Sequence, residues 1–542
     1  MRIAIAGLGP KGLFALERLL DHARDLPRAA RIAVDIFEPH PAPGAGPVYD
    51  PEQPAFLRMN FAAEQLDMWW PGTRAVPNAR AQTFTAWRAA HSGGDEEYPP
   101  RAQVGQYLTD GLESLLRNAP ANVDITLHRA RVEAVRPDGD GWSVQAAGAA
   151  GVYDEVLIAV GHQDASGEAL AAGWAHAATL VPAVFPVTAR LGRDRVAPGA
   201  TVAVRGFALT FIDAALALAE GRGGTFEPLD HAYRLRYVPA GDEPRSIIPF
   251  SRSGQPLLAK PGRHFAERFP SLEGIAEEGR GRILDLVSPC SLERDLLPIL
   301  ADAARASLRA VAGDPSSRAL GPAAAIERSL AVGAGLATPD RDWARGHAWR
   351  SLYPAIVAQL GGDGLEPGDW PAFLRLAAEM ERLAFGPPAL NAAKLLALVE
   401  AGLIDLGHLR GGRLASVGEQ TAIRSDLGEQ PVAAVIDAVL PGPGASGYGG
   451  LLGCLVACGF ARVRPGRRGL DVTPDGSCRA PDGSLTHGLA AIGRPTEDAV
   501  IGNDTLSRGL HPHADLWARR VAERTRRLAA TPDAGMRVPA PA

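Results

Sequence analysis

The sequence of 542 residues is poor in cysteine, in net positive charge and in long apolar runs. Its four cysteines form no Cys-x-x-Cys pair, which argues against a disulfide reductase. The net charge of −5 provides no basic field to attract nucleic acid or an anionic membrane. No stretch approaches the roughly 20 apolar residues of a membrane span, and the apolar start is too short for a signal peptide. We therefore expect a cytoplasmic protein without nucleic acid or membrane partners.

Signatures of protein-based catalysis are also missing. The chain has no Ser/His/Asp arrangement, no paired carboxylates and no metal-ligand spacing, so we predict no metal site. Cys454 and Cys458 would share one face of a helix, but the apolar stretch 451–460 around them predicts small buried hydrophobes. The composition, 46% hydrophobic and 22% charged, is nevertheless that of a globular protein with a sizeable core, long enough for several domains.

The pattern that organises the chain stands at residues 2–13, RIAIAGLGPKGL. A short apolar strand at 3–6 leads into the G-x-G-x-x-G motif of Gly7, Gly9 and Gly12, and residues 13–20 follow with apolar residues at helical spacing. In such a turn the glycines allow the tight bend, the approach of a pyrophosphate and close packing of the helix. The helix N-terminus attracts phosphate. We predict a dinucleotide site here that includes Pro10 and Lys11.

A second strand, at residues 32–37, ends at Glu38, roughly 25 residues after the last glycine and near the usual position of the ribose-binding acid. A carboxylate there accepts hydrogen bonds from ribose hydroxyls and repels a 2′-phosphate, which favours FAD or NAD over NADP. The alternative is a glycine turn with a surface acid. The combination of strand, turn, helix, strand and acid favours the nucleotide site.

A second nucleotide signal follows residue 200. A strand at 201–205 leads to the turn Gly206 to Thr210 and a helix at 211–219, with Leu209 and Thr210 counted in the predicted site. Ala208 stands where the second glycine of the motif would be. A further strand at 245–250 ends in Ser251-Arg252-Ser253-Gly254 without an acid, which suits a 2′-phosphate held by Arg252 and Ser253. The pattern favours NADPH; the alternative is a degenerate repeat with a surface arginine.

Several isolated residues are weaker candidates for the same sites. Asn60 would contact a flavin or substrate, or simply form a turn. Arg101, ahead of a helix, would meet a phosphate or solvent. The buried strand at 153–162 ends in Gly161, which would touch a cofactor, and His162, which would line the site or be structural.

Two more candidates complete the predicted cofactor site. Val132 begins a short strand at 132–135. Near the end of the chain a strand leads to Gly493, and a helix capped by Asn503 or Asp504 would direct backbone N–H groups to a ribityl chain or flavin ring.

These elements predict an α/β fold with two Rossmann-like domains, for FAD and NADPH, and a helical insertion. The insertion is recognised by apolar residues at helical spacing and carries no nucleophile pattern. The predicted units are residues 1–165 and 407–530 for the two parts of the FAD-binding domain, 166–264 for the NAD(P)H-binding domain, 265–406 for the insertion and 531–542 for a flexible tail.

Taken together, the chain resembles the flavoproteins with two dinucleotide-binding domains, and within them the bacterial FAD/NAD(P)-binding protein family, a distant relative of flavin N-hydroxylating monooxygenases. The resemblance rests on residues 7–13, 38, 44–46, 59–60, 98–101, 159–162, 205–213, 251–254, 385–388 and 493–495. It implies that FAD is held by Gly7, Gly9, Gly12, Glu38 and the Gly493 region, and NADPH by Gly206, Thr210 and Arg252.

The resemblance favours a flavin-dependent oxidoreductase, specifically an FAD-dependent, NADPH-using monooxygenase. It would use O2 to oxygenate a small nucleophilic substrate, with amine N-hydroxylation in secondary metabolism as the first subclass to test. Because the cofactor supplies the chemistry, no protein nucleophile is needed. Two alternatives remain: an FAD-dependent NAD(P)H dehydrogenase or reductase without oxygen transfer, and a non-enzymatic flavin-binding scaffold, which Ala208 supports. An oligomer is possible.

Overall fold

The computed structural model describes residues 1–91, 93–161, 170–171, 174–230, 232–316, 319–440, 449–503 and 506–530. Its strands are β1 (Arg2–Ala6), β2 (Ile32–Phe37), β3 (Val123–His128), β4 (Val132–Asp138), β5 (Gly141–Ala146), β6 (Ala149–Tyr153), β7 (Glu155–Ile158), β8 (Thr179–Val181), β9 (Thr201–Arg205), β10 (Thr225–Pro228), β11 (Leu235–Val238), β12 (Ser246–Phe250), β13 (Arg413–Val417), β14 (Gln420–Ser425), β15 (Gly428–Pro431), β16 (Ala434–Asp437), β17 (Ser477–Arg479) and β18 (Leu485–Ala491).

Its α-helices are α1 (Pro10–Ala23), α2 (Phe84–His91), α3 (Arg101–Arg117), α4 (Val187–Arg190), α5 (Leu209–Leu218), α6 (Arg263–Glu267), α7 (Ser271–Leu284), α8 (Leu297–Ala310), α9 (Pro322–Gly333), α10 (Arg341–Leu360), α11 (Trp370–Ala384), α12 (Ala389–Glu400), α13 (Gly450–Ala457) and α14 (His513–Ala530). None of the helices in the described ranges combines the length and the apolar character needed to cross a membrane.

The first sheet has the strand order β17-β18-β7-β1-β2-β3. All neighbours from β18 to β3 run parallel, and only the edge strand β17 is antiparallel. Residues 3–6 of β1 are completely buried, as a strand covered by helices on both faces requires. The helix α1 begins with Pro10, which fixes φ at the helical value, and packs its apolar face against α3 and α14. The predicted strand, turn and helix at residues 3–20 are confirmed.

The second sheet is smaller and entirely parallel, with the order β12-β9-β16-β8. The strand β9 leads through Gly206 into α5, an apolar helix buried along most of its length. The chain thus contains two parallel sheets, each with a strand–turn–helix unit at its centre, and the predicted α/β fold with two Rossmann-like units is confirmed.

In each parallel sheet, one strand comes directly after a three-stranded antiparallel unit. The antiparallel strands β4, β5 and β6 come directly before β7, and β13, β14 and β15 come directly before β16. Because β16 pairs with β8 and β9, residues up to Asp437 lie with the second sheet, whereas the sequence analysis assigned all of 407–530 to the first. The local pattern of β16 predicts a strand but not its neighbours.

The segment between β12 and β13 is helical, from α6 to α12. Its core includes Trp349, Leu352, Ile356 and Phe373, all nearly inaccessible to solvent. A large apolar side chain contributes about 1.5–3 kcal/mol when fully buried, so this cluster holds α7, α8, α10 and α11 together. The helix α12 packs instead on α9, α5 and β11. The prediction that both cysteines are buried is wrong: Cys458 is exposed at the C-cap of α13, and Cys454, within that helix, is half-buried.

Candidate functional site

Four neighbouring parallel strands end in residues that the sequence analysis selected. In spatial order, β18 is followed by Gly493, β7 by Gly161, β1 by Gly7 and β2 by Glu38. Since the carboxyl ends of parallel strands meet at one edge, these residues lie side by side there. This edge is where ligands bind in open α/β sheets.

The first glycine turn is built so that one position stays open. A Cβ on Gly7 would lie 2.5 Å from the carbonyl oxygen of Ala159, and its φ of +93° suits only glycine. A Cβ on Gly12 would lie 2.2 Å from the Gly7 carbonyl oxygen. Nothing lies within 4 Å of the same position on Gly9. Two glycines therefore serve packing, and the third leaves room for a phosphate above the N-terminus of α1, the helix to which Pro10 and Lys11 belong.

Glu38 lies against this turn. The backbone N–H groups of Leu8 and His40 each donate to one of its carboxylate oxygens, both at 2.7 Å. The carboxylate is fixed by these bonds, and its remaining lone pairs can accept from ribose hydroxyls. The following loop returns over the turn: Gly44 donates its N–H to the Leu8 carbonyl at 2.6 Å, and a Cβ on Gly46 would lie 3.4 Å from Gly9 Cα.

Gly493 lies next to the first turn of α1. A Cβ on it would lie 3.2 Å from Cγ of Lys11, and its carbonyl accepts a hydrogen bond from the side chain of Asn503 at 2.9 Å. Asn503 therefore does not begin a helix, contrary to prediction, because its amide is used inside this loop. Asp504 and His162 lie outside the described residues. Val132 is buried at the start of β4, in the same apolar cluster as Phe37.

A small open cleft of about 40 Å³ borders Gly493. It is lined by aromatic and basic side chains, among them Phe14, Trp70, Arg508 and His511. Arg508 is buried with its guanidinium 4.3 Å from the Phe14 ring centroid and pairs with Glu17. Burial, with a smaller effect of Lys11, lowers the pKa of His511 to about 3, so this imidazole is neutral at physiological pH.

The second sheet presents a comparable edge with more charge. Gly206 has a φ of +106° and donates its N–H to the carbonyl of Phe250 at 2.9 Å. Arg205 donates two hydrogen bonds, at 2.8 and 2.7 Å, to the buried carboxylate of Asp437 at the end of β16. This bidentate ion pair joins the ends of β9 and β16 and was not predicted from the sequence.

The remaining predicted residues of this edge are accessible. Arg252 and Ser253 are exposed just after β12, and Leu209 and Thr210 are partly exposed in the first turn of α5. Ala208 is exposed at the N-cap of that helix, where its methyl group faces outward. The edge can therefore present a cationic side chain and a helix N-terminus to a phosphate.

Arg101 does not lie free near a phosphate position. Its guanidinium donates to the carboxylate of Asp213 at 2.8 Å and to the carbonyl of Arg58 at 3.0 Å. Asp213 is buried on α5, so the contact ties α3 of the first domain to the helix of the second. In this structure Arg101 therefore connects the first domain to the second.

Asn60 belongs to a buried cluster of side chains whose other members were not predicted from the sequence. Its side-chain N–H donates to the carbonyl of Phe385 at 3.0 Å, and its backbone carbonyl accepts a hydrogen bond from the ammonium of Lys260. Lys260 is only 9% exposed, and its Nζ lies 5.9, 6.0 and 5.9 Å from the ring centroids of Phe61, Tyr98 and Phe385. Burial accounts for most of the lowering of the lysine pKa to about 7.

A second cation, Arg350 of α10, borders the same cluster. It donates to the carbonyl of Ala384 at 2.7 Å, burial lowers its pKa, and its charge contributes to the lowered pKa of Lys260. Across the described ranges neither cation forms an ion pair with a carboxylate. Glu97, which partly offsets the effect on Lys260, accepts the backbone N–H of Arg263 instead. We call the group Asn60, Phe61, Tyr98, Lys260, Arg350 and Phe385 the cation pocket.

One feature of the sequence distinguishes Lys260, although it identifies none of the residues around it. Of the 56 Lys and Arg residues only three are lysine: Lys11, Lys260 and Lys394. Lys394 is also buried and pairs with Glu220, and Lys11 belongs to the glycine turn. In a chain that otherwise uses arginine, each lysine occupies a specific structural position.

Comparison with known proteins places these observations in context. Residues 4–163 match the family described as FAD-NAD(P)-binding. The nitrosuccinic acid synthase of Aspergillus oryzae is 34% identical over 285 residues, which cover 48% of this chain and 42% of that protein. An L-aspartate N-monooxygenase (nitrosuccinate-forming) of Streptomyces cremeus is 30% identical over 344 residues, covering 56% of this chain and 50% of that protein. The chain thus spans about half the length of the curated relatives it matches.

Among solved structures, the lysine monooxygenase NbtG of Nocardia farcinica has a TM-score of 0.47 at 14% identity, with 96% of this chain and 99% of that one covered. The L-lysine 6-monooxygenase of Pseudomonas syringae has a TM-score of 0.45 at 13% identity, with coverage of 98% and 99%. The match over residues 4–163 agrees with the strand, glycine turn and acid described above, and the first part of this chain is therefore an FAD-NAD(P)-binding domain.

Proposed function

We propose that this protein is an FAD-dependent, NADPH-using monooxygenase that N-hydroxylates the amine of a small acidic amino acid, with L-aspartate as the first substrate to test. The observation that carries the proposal is the presence, in one chain, of an FAD-NAD(P)-binding domain and a second parallel sheet with its own glycine turn and an arginine after the neighbouring strand. The choice of an amine as the oxygenated group and of L-aspartate as the substrate follows the names of the two relatives given above.

The residues of the first edge fit the shape and charge of FAD. The open space above Gly9 accommodates the pyrophosphate, and the first turn of α1 directs N–H groups to it. Glu38 is held by two backbone N–H groups in position to accept from the adenosine ribose. We propose that Val132, Gly161 and Gly493 complete this site. When bound and reduced by NADPH, FAD supplies the activation of O2.

The second edge would hold NADPH. Gly206 and the first turn of α5, with Leu209 and Thr210, would face the pyrophosphate, and the exposed Arg252 with Ser253 would receive the 2′-phosphate. Ala208 presents a methyl group rather than hydrogen, which increases the distance of closest approach. We expect the second nucleotide to bind more loosely than FAD and to exchange between turnovers.

The balanced reaction is R–NH2 + O2 + NADPH + H⁺ → R–NHOH + NADP⁺ + H2O. One oxygen atom forms the new N–O bond, the other leaves as water, and NADPH provides the two electrons. The protein itself binds both nucleotides, orients the amine as a free base and excludes water.

The proposal is tested on protein purified with bound FAD. NADPH oxidation, O2 consumption and hydroxylated product are measured with L-aspartate and, as a control, with succinate, which lacks the amine. We expect product and O2 uptake in equal amounts with L-aspartate and none with succinate. NADPH oxidation without any N-oxygenated product across a panel of amino acids would favour the reductase. Bound FAD that NADPH and NADH never reduce would favour the scaffold.

A further inference from the structure

The cation pocket contains two buried positive charges, and the carboxylate whose charge acts on Lys260, that of Glu97, is hydrogen-bonded to Tyr98 and to the backbone N–H of Arg263 rather than to either cation. Lys260 comes from the segment between β12 and α6, and Arg350 comes from the middle of α10. Among the described residues neither is paired with Asp or Glu, whereas Arg263 and Arg345, which are near them in sequence, each have an acidic partner. We infer that the pocket binds a carboxylate of the substrate, and this inference rests on the proposed function.

The physical reason is the cost of isolated charge. A buried cation without a counter-ion loses its hydration and gains no attraction in return, so proteins pair such groups or use them to bind ligands. Two cations whose charges also repel each other raise that cost. An incoming carboxylate removes both costs at once, because it neutralises the two cations and can accept hydrogen bonds from their remaining N–H groups.

The pocket has the donors that this requires. An ammonium has three N–H groups, and the carbonyl of Asn60 uses one from Lys260. A guanidinium has five, and the carbonyl of Ala384 accepts from one nitrogen of Arg350. A carboxylate has two oxygens with about four acceptor positions, so it can be shared between the two side chains.

The pocket also offers an acceptor for the amine. The side-chain oxygen of Asn60 is buried and receives no hydrogen bond within the described ranges, while its N–H is held by the carbonyl of Phe385. The aromatic rings of Phe61, Tyr98 and Phe385 supply apolar walls with negative faces, which favour cationic partners. Cations for the acid and an acceptor for the amine complement an amino acid.

The origin of these residues gives the helical insertion a function. Asn60 and Tyr98 belong to the FAD-NAD(P)-binding domain, Lys260 follows the second sheet, and Arg350 and Phe385 belong to the insertion. The pocket exists only where these three parts meet. The insertion therefore contributes recognition of the acidic group, and the nucleotide sheets contribute the redox machinery.

Binding measured by calorimetry, without turnover, tests this inference. FAD-loaded protein is titrated with L-aspartate and with succinate, for wild type, Lys260→Met, Arg350→Gln and the control Lys394→Met, which removes another buried lysine that has its own partner, Glu220. We expect binding of both acids to weaken by about 30-fold or more in the two pocket variants and by less than about threefold in the control. Bound FAD and the melting profile establish that each variant is folded.

Unchanged affinity for both acids in a folded Lys260→Met protein would overturn the inference and assign Lys260 a purely structural role. If that variant does not fold, unchanged affinity in Arg350→Gln has the same force. The two proposals fail separately: acid binding that depends on Lys260 in a protein that oxygenates no amine refutes the function and keeps the pocket. Amine oxygenation by a protein whose affinity for both acids is unchanged by the two substitutions would support the proposed function and refute the role of the pocket.

Discussion

Replacing Lys260 with methionine should make the ligand-free protein more stable, although the side chain is buried and hydrogen-bonded. Methionine has a similar length and fills the space among the aromatic rings without bringing a charge. The substitution therefore removes an uncompensated cation and keeps most of the packing. A residue that lowers stability in the free protein while strengthening ligand binding is what a substrate-binding side chain should be.

The size of the effect follows from the pKa. Burial lowers the pKa of Lys260 from 10.5 to about 7. Since one pKa unit corresponds to about 1.36 kcal/mol, the folded protein at pH 7 is less stable by about 4 kcal/mol than it would be with an unshifted lysine. Methionine loses the hydrogen bond to the Asn60 carbonyl and the attraction to the rings, which offset about 1–3 kcal/mol. The net gain is about 1–3 kcal/mol.

The gain must depend on pH with a definite sign. The unfolded chain holds a proton on Lys260 up to about pH 10.5, whereas the folded chain releases it near pH 7. The destabilisation is therefore fully present below pH 7 and disappears as the pH rises to 10.5. We expect the advantage of Lys260→Met to be largest at pH 6, smaller at pH 9 and absent near pH 10.5.

Scanning calorimetry at these pH values, without L-aspartate, measures the difference. Lys394→Met is the matched control, and we expect it to melt below the wild type, because it leaves Glu220 without its cation. A Lys260→Met protein that melts at a lower temperature than wild type at pH 6 would refute the reasoning. Lys260 would then stabilise the ligand-free protein instead of destabilising it.

Three further predictions concern the nucleotide edges. Gly9→Ala should change the free energy of unfolding by less than about 1 kcal/mol but weaken FAD retention at least about tenfold. Gly12→Ala should lower the free energy of unfolding by about 1–3 kcal/mol, because its methyl group would collide with the Gly7 carbonyl. Measurements of bound FAD and of the melting temperature distinguish the two effects. Arg252→Met should raise the KM for NADPH about tenfold and leave that for NADH unchanged, in steady-state assays; equal effects on both would contradict a 2′-phosphate contact. Asp437→Asn should cost about 3–5 kcal/mol in urea unfolding, since Arg205 keeps its charge; a loss under 1 kcal/mol would contradict the pairing.

The strands and the glycine turns were predictable because their determinants are local. Residues 3–12 contain the apolar strand, the three glycines and the helix start in one continuous stretch, and each glycine acts on atoms a few residues away or on the next strand. The second unit at 201–218 was recognised in the same way. Neither required knowledge of distant parts of the chain.

The pairing of β16 and the cation pocket were not predictable, for the opposite reason. The residues of β16 indicate a buried strand, but a buried parallel strand is equally apolar in either sheet, so its partner is not encoded locally. The cation pocket unites Asn60, Lys260 and Phe385, which come from three separate parts of the sequence. A lone lysine beside a Pro-Gly turn carries no local sign of burial.

The choice of lysine at position 260 has a consequence for binding that arginine would not have. An arginine keeps its charge at every accessible pH, but a buried lysine can release its proton while the pocket is empty and regain it when a carboxylate arrives. With a pKa of about 7, Lys260 is mostly neutral at pH 8.5 in the free protein. The binding of an anion next to it raises the pKa again.

Binding of succinate, which has no amine proton to lose, should therefore take up close to one proton per site at pH 8.5 and much less at pH 6. Calorimetric titrations in two buffers with different ionisation enthalpies give this number directly. Lys260→Met should abolish the uptake at pH 8.5 and leave the pH 6 value unchanged, because Arg350 does not titrate in this range. Uptake that persists in Lys260→Met would assign the proton to another group, and the lysine would then not be the residue that senses the acid.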